Sequence, residues 1–180
     1  MLGLDELWWM VSPGNPLKPT TGMAPFAARL ASAKAQSRGQ ARIRATGIEA
    51  RLGTRYTVDT IRALTRALPH RQFIWLMGAD NLADFHRWRG WRTVARTLPI
   101  AVFARPRYMR QSVIAPAMGW LRPYRHGPET ARDWTRWRLP AIVILPIRLD
   151  PTSATEIRAR DPNWADRLDL AQRLTESPEV

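Results

Sequence analysis

The chain predicts an α/β fold organised as a doubly wound parallel sheet. Its best strand candidates, Phe73–Met77, Ile100–Ala104 and Ala141–Ile147, are continuous apolar runs without polar alternation. Strands buried on both faces have that character, and parallel sheets covered by helices contain such strands. Segments with helical spacing stand between them, so strand and helix alternate along the chain. At 180 residues, 45% apolar and 24% charged, the chain is long enough to bury a core and reads as one domain over residues 1–180.

Taken in order, "ELWWMVS" (Glu6–Ser12) is a short apolar strand closed by Pro13-Gly14-Asn15-Pro16. "PFAARLASAKAQ" (Pro25–Gln36) is alanine-rich and opens on a proline suited to a first helical turn. "ARIRATGIEA" (Ala41–Ala50) reads as a weak edge strand. Val58, Ile61, Leu64 and Leu68 recur at helical spacing, with Thr57 placed to cap that helix and Pro69 just beyond its end. The Phe73–Met77 strand leads into Gly78-Ala79-Asp80 and a helix over Asn81–Trp88. "WRTVARTL" is a further short helix before the Ile100–Ala104 strand. Arg105–Leu139 is basic, broken by prolines and glycines, and the least legible stretch; Trp120, Trp134 and Trp137 are expected to pack helices there. After the Ala141–Ile147 strand, "DPTSATEIRAR" begins a helix and "NWADRLDLAQRL" forms an amphipathic one.

Composition removes several chemistries. With no cysteine, disulfides, thiolate nucleophiles and cysteine-ligated zinc are excluded. His70, His86 and His126 are far apart in sequence, so a histidine-rich metal site is not expected. No run approaches the ~18 apolar residues of a membrane span, and Asp5 and Glu6 stand where a signal peptide would be basic, so a cytoplasmic protein is expected. The net charge is +13, and Lys18 and Lys34 are the only lysines among 28 basic residues. Such a charge favours polyanions, nucleotides included. The arginines are spread along the chain, which compositional bias also explains, and no specific nucleic-acid partner is expected.

Ligands of open parallel sheets sit beyond the carboxyl ends of the strands. Gly78 would admit a close backbone approach, or a dihedral that other residues resist. Asp80 beside it could accept hydrogen bonds from the two hydroxyls of a ribose; alternatively Asp80 or Asn81 simply caps the helix. Trp88 and Trp91 fit either a core or a stacking role. In "DPTSATEIR", Ser153 and Thr155 offer hydroxyls at a helix start with Arg158 about one turn on, the makings of a phosphate site or of an ordinary cap. Lys18 stands on a loop after a strand, free to reach an anion or merely solvated.

"SPGNPLK", "GTRYTVDTI", "FIWLMGADNLADFHRW", "AVFARP" and "DPTSATEIR" occur in this order, and as an ordered set they resemble the nicotinate mononucleotide adenylyltransferases of the HxGH nucleotidyltransferase superfamily. The resemblance spans roughly Leu4 to Arg158. It implies a Rossmann-like nucleotidyltransferase fold and attack by the phosphate of nicotinate mononucleotide on the α-phosphorus of ATP, giving deamido-NAD and pyrophosphate with Mg²⁺ assisting. Such a reaction relies on alignment and charge neutralisation more than on acids and bases. By resemblance, Gly78, Asp80, Ser153, Thr155 and Arg158 would bind ATP, and Lys18, Tyr56, Thr57, Trp88 and Arg89 the mononucleotide. A related adenylyltransferase with another acceptor, or a non-catalytic basic nucleotide-binding module, would be the alternatives.

The H-x-G-H motif of that superfamily does not occur in the chain, so no catalytic residue is assigned. "LGLDELWWM" resembles the end of the family's first helix running into its second strand. By that resemblance the chain begins about 25–35 residues late, the size of one strand–turn–helix unit. The central first strand of the sheet would then be missing, leaving Leu7–Val11 and Phe73–Met77 each with one unpaired apolar edge. Little turnover is expected from residues 1–180 alone. Arg89 and Thr152 also depart from the family pattern.

Overall fold

A computed structural model describes residues 1–14, 23–104, 109–147, 159–161 and 164–165. The chain divides into two compact units, one made of residues 1–3 and 56–150 and the other of residues 4–55 and 151–180.

In the second of these, β1 (Leu7–Met10) pairs in parallel with β2 (Ile43–Thr46), Leu7 level with Ile43 and Met10 with Thr46. Between them runs α1 (Phe26–Gln36), whose Ala28 and Ala33 are buried, small side chains that let the helix lie close to its neighbours. Pro25 is the N-cap of α1 and not part of its first turn. The predicted Ala41–Ala50 strand is shorter than expected. It ends at Thr46, and Gly47 begins a second helix, α2 (Ile48–Leu52). The Arg29 side chain ties α1 to the turn after β1. Its Nη1 donates to the Ser12 carbonyl at 2.7 Å, Nη2 to that of Pro13 at 3.0 Å and Nε to that of Ala24 at 3.0 Å. Partial burial lowers the Arg29 pKa from its ordinary value, but the group remains a cation.

The larger unit holds α3 (Thr57–Ala67), β3 (Trp75–Gly78), α4 (Ala79–Asp84), α5 (Trp91–Thr97), β4 (Ile100–Phe103), α6 (Met109–Val113), α7 (Pro116–Leu121), β5 (Arg125–His126) and β6 (Ile142–Leu145). Its four strands lie in the order β3-β4-β6-β5, all parallel. Every residue of β6 is buried, as an apolar run in a covered parallel strand demands. In β3, by contrast, Trp75 and Leu76 are only half-buried, because β3 is the terminal strand of its sheet. β1 is terminal too, so among the described residues β1 and β3 each carry one edge without a strand partner, the two edges expected from the sequence.

The core of this unit is built around Ile61 of α3, Leu82 of α4, Phe85, Ile100 of β4, Leu121 of α7 and Ile142 of β6. The stretch that was hard to read as sequence contributes α6, α7, the two-residue strand β5 and short 3-10 turns over Arg122–Tyr124 and Pro128–Arg136. Of the three tryptophans expected to pack helices, Trp120 of α7 does so, meeting Trp91 of α5 at 5.3 Å, whereas the other two take different partners. The Trp134 ring is buried and its Nε1 donates to the Leu2 carbonyl at 2.9 Å, while Trp137 stacks on His126 at 4.1 Å. No described helix is long and apolar enough to cross a membrane.

Candidate active site at the carboxyl edge of the sheet

The register of the larger sheet sets Gly78, Phe103 and Leu145 side by side, so β3, β4 and β6 end along one edge. Gly78 closes β3 and is also the N-cap of α4. The helix therefore starts two residues earlier than predicted and is shorter. α4 spans Ala79–Asp84, and Phe85–Arg87 tighten into a 3-10 turn. The Phe85 ring in this turn is completely buried. Gly78 has φ −78°, so of the two uses proposed for it, the unusual dihedral does not apply. Asp80 sits in the first turn of α4 but is not its N-cap, nor is Asn81, and no side chain caps this terminus. The half-buried Asp80 carboxylate thus stands at the carboxyl edge, in a helix whose first N–H groups point the same way.

A second group of residues reaches this edge from α3. That helix ends at Ala67 and feeds β3 through residues 68–74, which places its N-terminus toward the carboxyl ends of the strands. The predicted capping role of Thr57 is not what the structure shows. Tyr56 occupies the N-cap with φ −111° and ψ 137°, Thr57 is the first helical residue, and no side chain caps the helix. A tyrosine in extended geometry just before the helix displaces the cap by one residue.

Arg89 meets this terminus from outside the helix, and Trp88 precedes it in the chain. Trp88 is half-buried and held edge-on by Phe85 at 5.4 Å and by Trp75 at 6.3 Å between ring centroids. The Arg89 guanidinium lies 4.7 Å over the Tyr56 ring, and its Nη1 is 3.9 Å from Asp59 Oδ2. Both charged side chains retain solvent contact, 63% and 38% respectively, so the pair positions Arg89 without neutralising it fully. The structure therefore brings Arg89 onto Tyr56 at the α3 terminus beside Thr57, while Trp88, next to Arg89 in the chain, packs on Phe85 and Trp75. Lys18, Ser153, Thr155 and Arg158 lie outside the described residues.

Four residues escaped the sequence pattern. Gly90 has φ +63° and is the N-cap of α5, and a Cβ there would lie 3.2 Å from Val58 Cγ2 in the first turn of α3. Only glycine lets the chain turn this close to α3, and the turn sets Arg89 on Tyr56. Asp59 was legible only as a polar position on a helix. Trp75 Nε1 and His86 Nδ1 are buried polar atoms with no hydrogen-bond partner, and no periodicity could have marked them. At the opposite, amino-terminal end of the strands is a cleft of about 280 Å³ lined in part by Phe73, Pro99, Trp134 and Leu139. It contains none of the predicted site residues.

The profile of the family described as cytidylyltransferase-like matches residues 1–160. A protein of Erythrobacter litoralis named "Probable nicotinate-nucleotide adenylyltransferase" is 56% identical over 166 residues, covering 92% of this chain and 75% of its own. Proteins of the same name from Parvibaculum lavamentivorans and Gluconacetobacter diazotrophicus are 47% and 48% identical, covering 92% and 88% of this chain and 82% and 73% of theirs. With the profile spanning most of its length and relatives this similar, the chain belongs to the cytidylyltransferase-like family of nucleotidyltransferases, in the company of the nicotinate-nucleotide adenylyltransferases.

Proposed function

We propose that the protein transfers the adenylyl group of ATP to nicotinate mononucleotide in NAD biosynthesis. A phosphate oxygen of the mononucleotide attacks the α-phosphorus of ATP, the bond from that phosphorus to the bridging oxygen breaks, and pyrophosphate leaves as deamido-NAD forms. The observation that carries this reading is the seating of Arg89 on the Tyr56 ring at the start of α3, with Trp88 the residue before it in the chain. That terminus has open N–H groups and the positive end of an eleven-residue helix, with a cation alongside. It suits the carboxylate of a nicotinate ring, with Trp88 offering a flat face to the ring itself.

Asp80 takes the ribose hydroxyls of ATP beside Gly78, and Ser153, Thr155 and Arg158 take its phosphates. By resemblance, Lys18 is assigned to the phosphate of the acceptor. In this arrangement the protein holds two anions in line and offsets their repulsion, and the rate comes from alignment. Among the described residues no group of three or more histidines, aspartates or glutamates could cage a metal ion. Mg²⁺ fits instead as a cation carried on the triphosphate, which needs few protein ligands. Bound there, it neutralises charge that moves toward the leaving pyrophosphate. A cytoplasmic location follows from the substrates.

Calorimetry with ATP and with nicotinate mononucleotide, paired with mass-spectrometric detection of deamido-NAD, tests the proposal. Saturable binding of both nucleotides by folded protein is the expected result. Binding of neither would overturn it.

A further inference from the structure

We propose that the exposed face formed by α5 and α7 binds single-stranded nucleic acid without regard to sequence. The residues involved have no role in the proposed adenylyl transfer. Arg92 and Arg96 are one turn apart on α5 and share its surface. The Arg92 guanidinium lies 4.5 Å over the Trp91 ring and 5.8 Å over that of Trp120, and the Arg96 guanidinium lies 5.3 Å over Trp120. The rings continue outward. Trp91 meets Trp120 edge-on at 5.3 Å, and Trp120 meets Tyr124 at 5.6 Å. Tyr124 is 39% exposed, and Arg122 beside it is exposed as well.

None of the described ion pairs engages Arg92, Arg96 or Arg122. An arginine stacked on a ring has its flat face occupied while its N–H edges stay free, already oriented for phosphate oxygens. Cations held on aromatic faces, beside a ring open to solvent, form the combination that tracks a phosphate backbone and stacks its bases. The exposed Tyr124 ring offers a flat face on which a base can stack. The net charge of +13 adds long-range attraction.

Fluorescence anisotropy with a labelled oligothymidylate of about twenty nucleotides, in about 0.1 M salt, tests the inference. The intact chain should bind, with affinity falling as salt rises. Replacing Arg92 and Arg96 together by glutamine removes two phosphate contacts. The single-strand relation then predicts a salt slope shallower by about 1.4 and binding about 25-fold weaker. Tyr124→Ala should weaken binding about fivefold or more. The double change Arg62→Gln with Arg66→Gln on exposed positions of α3 removes the same charge elsewhere and should have a much smaller effect. Thermal unfolding checks that each variant folds. An equal loss from the α3 pair, or no binding by the intact chain, would overturn the proposal. So would binding of phosphatidylglycerol vesicles but not of the oligonucleotide.

Discussion

Replacing Gly90 by alanine isolates what the turn between Trp88 and α5 contributes. The residue has φ +63°, where a side chain costs about 1–2 kcal/mol. Its new Cβ would also press on Val58 Cγ2 at 3.2 Å, and Val58 is buried with little room to retreat. Stiffening of the unfolded chain returns about 0.4–1 kcal/mol. The net loss is therefore about 1–2 kcal/mol, or a fall in Tm of roughly 2–8 °C at this chain length. Gly119 in α7 provides the opposite control. It has open space around its Cβ position, and alanine there should stabilise by up to about 1 kcal/mol. Differential scanning calorimetry reads both variants. Calorimetric titration with nicotinate mononucleotide reads the second consequence, since moving α5 away from α3 pulls Arg89 off Tyr56 and should weaken binding. A Gly90→Ala protein with unchanged Tm and unchanged mononucleotide affinity would refute the assignment of this turn.

Arg89→Gln should lower affinity for nicotinate mononucleotide about fivefold while leaving the amide analogue nearly unaffected, a modest effect because the side chain is 63% exposed. Parallel titrations with the acid and the amide test this, and an equal loss for both would remove Arg89 from acid recognition. Asp80→Ala should weaken ATP binding at least tenfold, about 1.4 kcal/mol, by removing the ribose acceptor. Affinity for 2′,3′-dideoxy-ATP should change little, and an equal loss for both nucleotides would contradict the assigned contact. Arg29→Lys keeps the charge but cannot reach three carbonyls with a fixed fork, so a loss of about 1–2 kcal/mol in urea unfolding is expected. Stability equal to that of the unmodified chain would show that the fork does not hold the turn after β1.

How much could be read in advance depended on the range of the interaction concerned. Continuous apolar runs marked β4 and β6 because a strand covered on both faces has no polar positions to interrupt it, and that property is written in consecutive residues. The amphipathic spacing of Val58, Ile61 and Leu64 marked α3 for the same reason. Gly78 and Asp80 at the end of a strand and Trp88 and Arg89 beyond them were legible as ordered motifs. Local pattern failed where a residue's role depends on a partner distant in sequence. Thr57 has the right chemistry for a cap, yet Tyr56 takes that position. The Asn81–Trp88 helix had acceptable spacing, yet the α-helix ends at Asp84 and a 3-10 turn holding the buried Phe85 follows.

Amino-acid order was thus sufficient for the α/β class, the parallel strands and the kind of chemistry, since each rests on short-range periodicity or on motifs a few residues long. Three-dimensional packing was needed to bring Arg89 onto Tyr56, to press Gly90 against Val58 and to stack Arg92 and Arg96 on Trp120. Those contacts join separate elements of the chain. Their geometry follows from how helices settle on a twisted sheet, which no single segment encodes.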